Sequence, residues 1–221
     1  MEKSLNRLKL DYVDLILIHG PGIYGEYKLI FPEEIRNTFP ENPEDLKEAR
    51  ISMWEALQEL KKQGKTREIG VSNFNRFHLQ QLMNNPRCLK VPVINQIEFN
   101  PYSVDNEIID FCKENGILVQ AYAPLGSNPG RKSRYTHENT KHLLEDEILL
   151  NIPKEKECTV AQVALSWALS KGIAVVTKTE KPVRMKENIS ALNIKLTDED
   201  IKTIDKLNLN QRLFWNPNKI L

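Results

Sequence analysis

Residues able to do chemistry stand at the ends of the apolar runs of this 221-residue chain. His19 follows the run 13–18, and the pair Ser72-Asn73 closes 68–72. Gln96 and Asn100 fall in and just after 93–99, Tyr122 lies at the end of the run that begins at Leu118, and Lys178-Thr179 closes the one that begins at Ala174. An imidazole or a side-chain amide both donates and accepts hydrogen bonds, a phenol offers an aromatic face, and an ammonium group pairs with anions. Taken singly, a His or Asn at such a place is more often a satisfied turn or core residue than a catalyst. Five endings of this kind in corresponding places resist that explanation. Cys88, Cys112 and Cys158 are odd in number and far apart. They fit neither a disulfide framework nor a zinc site and read as reduced, mostly buried thiols of a cytosolic protein, so no metal is expected.

The elements that must position these residues alternate. Val13-Asp-Leu-Ile-Leu-Ile18 is nearly all apolar, as a parallel strand buried on both faces should be. A long Gly- and Pro-bearing stretch, 20–44, reads as a loop, and a loop of that length is usually functional or else counts against the assignment. From Pro43 a helix is predicted with Leu46, Met53, Leu57 and Leu60 inward, stopped by Gly64. A strand over 68–72 leads to a helix with Phe77, Leu79 and Leu82. A strand over 93–99 leads to a helix over 105–115 with Ile108, Ile109 and Cys112 inward and Gly116 behind it. The strand 118–123 is followed by a second polar loop, 126–142, and a short helix over 143–150. Thr159-Val-Ala-Gln162 is a capping-box signature ahead of Val160, Val163, Ala164 and Trp167. The strand 174–179 is last, followed by a helix opened by Pro182 and another opened by Thr197-Asp-Glu-Asp200, with Ile201, Ile204 and Leu207 inward.

Five strands each followed by a helix, with no hairpin signal, predict an α/β fold with a parallel sheet in one domain over 1–221. The candidates are a doubly wound open sheet and part of a (β/α)8 barrel. No G-x-G-x-x-G follows any strand, which argues against a Rossmann nucleotide domain. In a barrel the active site lies at the C-terminal ends of the strands, where the polar residues here cluster. With 31 basic and 30 acidic residues the net charge is +1, which gives no electrostatic case for nucleic acid. The apolar runs are only a few residues long, so no membrane span is expected, and the N-terminus lacks a signal core.

LDYVDLILIHGP (10–21), EIGVSNF (68–74), NQIEFNPY (95–102), AYAPLGS (121–127) and KTEKPVRMKEN (178–188) resemble, in order and spacing, the motifs of the aldo-keto reductase family. The resemblance runs over essentially the whole chain. It implies a partial (β/α)8 TIM barrel and NADPH-dependent reduction of small aldehydes or ketones to alcohols, alongside the cytoplasmic location expected from the cysteines and the N-terminus. Ser72, Asn73 and Gln96 match the trio that holds the nicotinamide carboxamide, and Tyr122 matches the aromatic on which the ring stacks. Leu125 and Ser127 match pyrophosphate contacts. Lys178, Thr179 and Arg184 match the cluster around the adenosine 2′-phosphate, and Glu187 and Asn188 match the residues at the adenine edge. Lys178 with Arg184 favours NADP(H) over NAD(H). Without the resemblance, Lys178, Arg184 and Glu187 would read as an ordinary solvated helix face. His19 matches the histidine that hydrogen-bonds the substrate carbonyl. Gly20 stands where many members have Trp, and Phe214 and Trp215 resemble the start of a substrate-pocket loop.

The same resemblance implies an N-terminally incomplete barrel. The Asp, Tyr and Lys that deliver the proton come, in the family, from βα units ahead of the strand ending in His19. Three such units, on the order of 90 residues in a barrel of typical size, are not in this sequence. Losing a general acid costs about 10²–10⁴ in rate. The alternative function is therefore a catalytically inactive NADP(H)-binding or regulatory protein. The strands 13–19 and 174–179 would be open edges, which predicts self-association.

Overall fold

A computed structural model of the chain describes residues 1–22, 33, 42–126, 142–210, 212–214 and 216–220. The two stretches expected as long loops, 20–44 and 126–142, fall largely outside these. In chain order the elements are α1 (Glu2–Leu8), β1 (Val13–Ile18), α2 (Pro43–Lys62), β2 (Thr66–Ser72), α3 (Arg76–Met83), β3 (Ile94–Glu98), α4 (Asn106–Glu114), β4 (Leu118–Tyr122), α5 (Glu147–Asn151), α6 (Val160–Ser170), β5 (Ala174–Val175), α7 (Pro182–Ser190) and α8 (Asp198–Asp205). The strands form one sheet in the order β1-β2-β3-β4-β5, the strand–helix alternation of an α/β fold. The chain sorts into two compact units: Met1–Asn95 with Asp110–Leu118 and Asn216–Leu221, and Gln96–Ile109 with Val119–Trp215.

In the first unit β1 and β2 pair in parallel, from Val13 opposite Thr66 to Ile18 opposite Val71. Gly70 is required there, because a Cβ would lie 2.7 Å from the Ile94 carbonyl oxygen. The β1 strand departs from expectation. Only Ile18 is buried, and Leu15, Ile16 and Leu17 are half-exposed, because β1 is the outermost strand of the sheet among the described residues. Helix α2 starts where predicted: Asn42 Oδ1 accepts from the Asp45 N–H, Pro43 opens the first turn, and acidic residues stand at its positive end. Its buried residues are Arg50, Ile51, Trp54 and Leu57, while Met53 is exposed. The large indole sets that phase, since Trp54 donates from Nε1 to the Lys90 carbonyl at 3.0 Å. In α3, Leu79 and Leu82 are buried as expected, but Phe77 is exposed. The neighbouring His78 takes the inward place.

In the second unit the Thr159–Gln162 capping box forms and starts α6, whose Val163, Ala164, Leu165, Trp167 and Ala168 are buried. Trp167 stacks on Phe99 with ring centroids 4.9 Å apart and donates to Asp205 Oδ1 at 2.8 Å. That bond ties α6 to α8, which the Thr197–Asp200 capping box opens. β5 is much shorter than the predicted 174–179: only Ala174 and Val175 pair, with Gln120 and Ala121. The residues after Val175 instead run toward α7, which buries none of its side chains.

Candidate functional site

The first unit holds His19, Gly20, Ser72 and Asn73. Asn73 follows β2 in the left-handed conformation, φ 60°, which Asn tolerates better than most residues. Its Nδ2 donates to the His19 carbonyl at 3.0 Å and to Ser72 Oγ at 3.2 Å. One amide thus ties the ends of two neighbouring strands. Ser72 and Asn73 are buried, Gly20 is half-buried, and the His19 side chain is exposed. The turn after His19 is held from its other side by Arg50 of α2, whose guanidinium donates to the Pro21 carbonyl at 3.1 Å and to Gln81 Oε1 at 2.5 Å. Burial pulls the Arg50 pKa down to about 10, still a cation at neutral pH. Asn95 fixes the turn behind Asn73, its amide donating to the Phe74 carbonyl at 2.8 Å.

The second unit holds the remaining described candidates. Gln96 Nε2 donates to Gln120 Oε1 at 2.6 Å, joining β3 and β4. Tyr122 is half-buried, and the Phe214 ring meets it edge-on at 6.0 Å and 74°. Ala123 then adopts φ 50°, a strained conformation for a residue with a Cβ. Its carbonyl accepts from the Gly126 N–H at 3.0 Å, closing the turn that carries the half-buried Leu125. Lys178 and Arg184 are exposed, and among the described residues neither forms an ion pair. Thr179 Oγ1 accepts from the Lys181 N–H, and Asn188 donates to Thr177 Oγ1 at 3.2 Å. Glu187 accepts from Thr159 Oγ1 at 2.6 Å, so one of its oxygens is engaged with the start of α6. Ser127 and Trp215 lie outside the described residues.

A model of the aldo/keto reductase family matches residues 1–209. The chain belongs to the aldo/keto reductase family. It is 41% identical over 212 residues to dihydrodiol dehydrogenase 3 of Bos taurus, covering 96% of this chain and 64% of that protein. It is 38% identical over 214 residues to prostaglandin F synthase 2 of Bos taurus, with 97% and 64% covered. The chain thus spans less than two thirds of the length of these relatives. Among solved structures it resembles an aldo-keto reductase from a Medee basin deep-sea metagenome library, with TM-score 0.78 and 30% identity over all of this chain and 69% of that one.

Two side chains in this family member escaped the sequence reading. Arg50 reads as one more charged position on an amphipathic helix, yet it is 1% exposed and grips the turn after His19. Glu98, also 1% exposed, is a carboxylate inside a strand of otherwise uncharged residues. That placement is the signal that could have found it, since a buried acid needs partners. The cysteines are free but not mostly buried: Cys112 is, while Cys88 and Cys158 are half-exposed. Burial still pushes the Cys88 and Cys112 thiols up to about 11, which suppresses thiolate chemistry. Among the described residues no group of His, Cys, Asp or Glu is arranged to hold a metal ion, and no helix is long and apolar enough to cross a membrane.

Proposed function

We propose that this chain binds NADP(H) and serves the reduction of a small aldehyde or ketone to an alcohol. What supports the reading most is the exposed pair Lys178 and Arg184, two cations without an ion-pair partner among the described residues, in a family member. A phosphate monoester is the ligand group that such cations fit best, through charge-assisted bonds. The Tyr122 ring, half-buried and backed by Phe214, presents a face suited to a flat heteroaromatic ring. The amides of Asn73 and Gln96 have the donor and acceptor types that a carboxamide needs. When bound, the cofactor supplies the hydride. His19, whose exposed imidazole can donate a hydrogen bond, orients the substrate carbonyl.

The reading is tested by titrating NADPH and NADH against the purified 221-residue protein and following fluorescence. NADPH should bind the more tightly. Lys178→Met should erase about tenfold or more of that preference, the size of a lost charge-assisted bond. Oxidation of bound NADPH by simple aldehydes marks a reductase. Tight binding without turnover marks a binding or regulatory protein, and absence of binding overturns the reading.

A further inference from the structure

Asn208, Leu209, Arg212, Leu213 and Phe214, all after α8, are bonded to β3 and to the turn that joins it to α4. Asn208 accepts from the Val104 N–H and donates to the Val104 carbonyl, at 3.1 and 3.2 Å. The Leu209 N–H donates to the Tyr102 carbonyl at 3.1 Å. Arg212 pairs with Asp105 at 2.7 Å, with both side chains largely buried. At the end of the series the Glu98 carboxylate accepts two successive backbone N–H groups, Leu213 at 2.6 Å and Phe214 at 3.1 Å. Leu213 is buried, and its Cδ1 would lie 3.7 Å from a Cβ added at Gly126. Phe214 is thereby held against Tyr122, the two rings nearly perpendicular. A carboxylate sunk in a strand carries a desolvation cost that packing alone does not offset. Here two convergent N–H donors answer it, and they fix the backbone of one aromatic residue.

We propose that Glu98 is a positioning residue for the cofactor: by clamping the Leu213 and Phe214 backbone, it holds Phe214 against Tyr122 and so sets the aromatic shelf on which the nicotinamide lies. The proposal rests on the reading of this chain as an NADP(H) binder. Glu98 touches no reacting atom and acts only through Phe214. Burial raises its carboxyl pKa while the two N–H groups oppose that shift, so the clamp works against the cost of desolvation.

The test is a double-mutant cycle on NADPH affinity. Glu98→Gln keeps the shape but leaves one N–H without its acceptor. Phe214→Ala removes the ring. Each should weaken NADPH binding by about threefold to tenfold, the range expected of one aromatic contact, and the double variant should be no weaker than the worse single one. In parallel, hydrogen exchange should accelerate at the Leu213 and Phe214 amides of Glu98→Gln and remain slow in α6. Should Glu98→Gln fail to fold, Arg212→Ala loosens the same clamp from its outer end, and its loss should likewise vanish in the Phe214→Ala background. Unchanged affinity in Glu98→Gln, or losses that add independently, overturns the proposal while the binding reading stands. Wild-type protein that binds no NADPH overturns both.

Discussion

At the scale of single residues, Asn73 carries two separable burdens. It occupies a left-handed backbone position and its side chain ties the His19 carbonyl to Ser72. Asn73→Gly relieves the backbone but loses the bonds, and should cost about 1 kcal/mol. Asn73→Ala loses the bonds and adds the left-handed penalty, for a total of about 2–3 kcal/mol. Urea unfolding of the two variants distinguishes them, and equal losses would mean that backbone conformation contributes nothing here. Either change should also lower the rate of any carbonyl reduction, because the backbone of His19 hangs on that amide.

At the scale of elements, the start of α3 is joined to the C-terminal segment through one imidazole. The Asn75 N–H donates to His78 Nδ1, so Nε2 carries the hydrogen and donates to the Ile220 carbonyl at 3.0 Å. The ring lies beside Phe74 and Phe77, and the charge that acts on it among the described residues is the Arg50 guanidinium. Burial lowers its pKa from 6.5 to about 4, opposed by the Ile220 bond and reinforced by the Arg50 charge. Because the folded state disfavours the imidazolium, the stability tied to the neutral ring is fully present above pH 6.5 and is lost as pH falls toward 4. About 2 kcal/mol should be gone by roughly pH 5. Denaturation midpoints measured from pH 8 downward should show this loss in the wild type and not in His78→Gln. A His78→Gln protein that keeps the full slope would place the titration elsewhere.

At the scale of the whole molecule, the surface carries more apolar area than single scattered side chains require. In the first unit Leu8, Leu10 and Tyr12 are exposed just ahead of the half-exposed β1, and in the second Val183, Met185, Ile189 and Leu192 are exposed on α7 and just after it. Apolar surface of this kind favours association, so the 221-residue chain should run on size exclusion with light scattering as more than a monomer. A sharp monomer peak at micromolar concentration would refute this. The sequence by itself determined the alternation of strands and helices from β1 onward, the capping box at Thr159, the helix start at Thr197 and the family, because turn residues, caps and collinear motifs act locally and survive as strings. The candidate positions were legible too, since each closes or follows an apolar run. Tertiary structure alone decided the rest. It exposed Met53 and Phe77 by giving their inward places to Trp54 and His78, and it cut β5 to two paired residues. It also showed that Asn73 and Arg50 hold the end of β1 and the turn after His19, and that Glu98 holds the backbone of Leu213 and Phe214, all three through partners far away in sequence. Periodicity reports which face of an element is apolar, but a buried amide, guanidinium or carboxylate gains its meaning from a donor or acceptor that only the fold brings within hydrogen-bond distance.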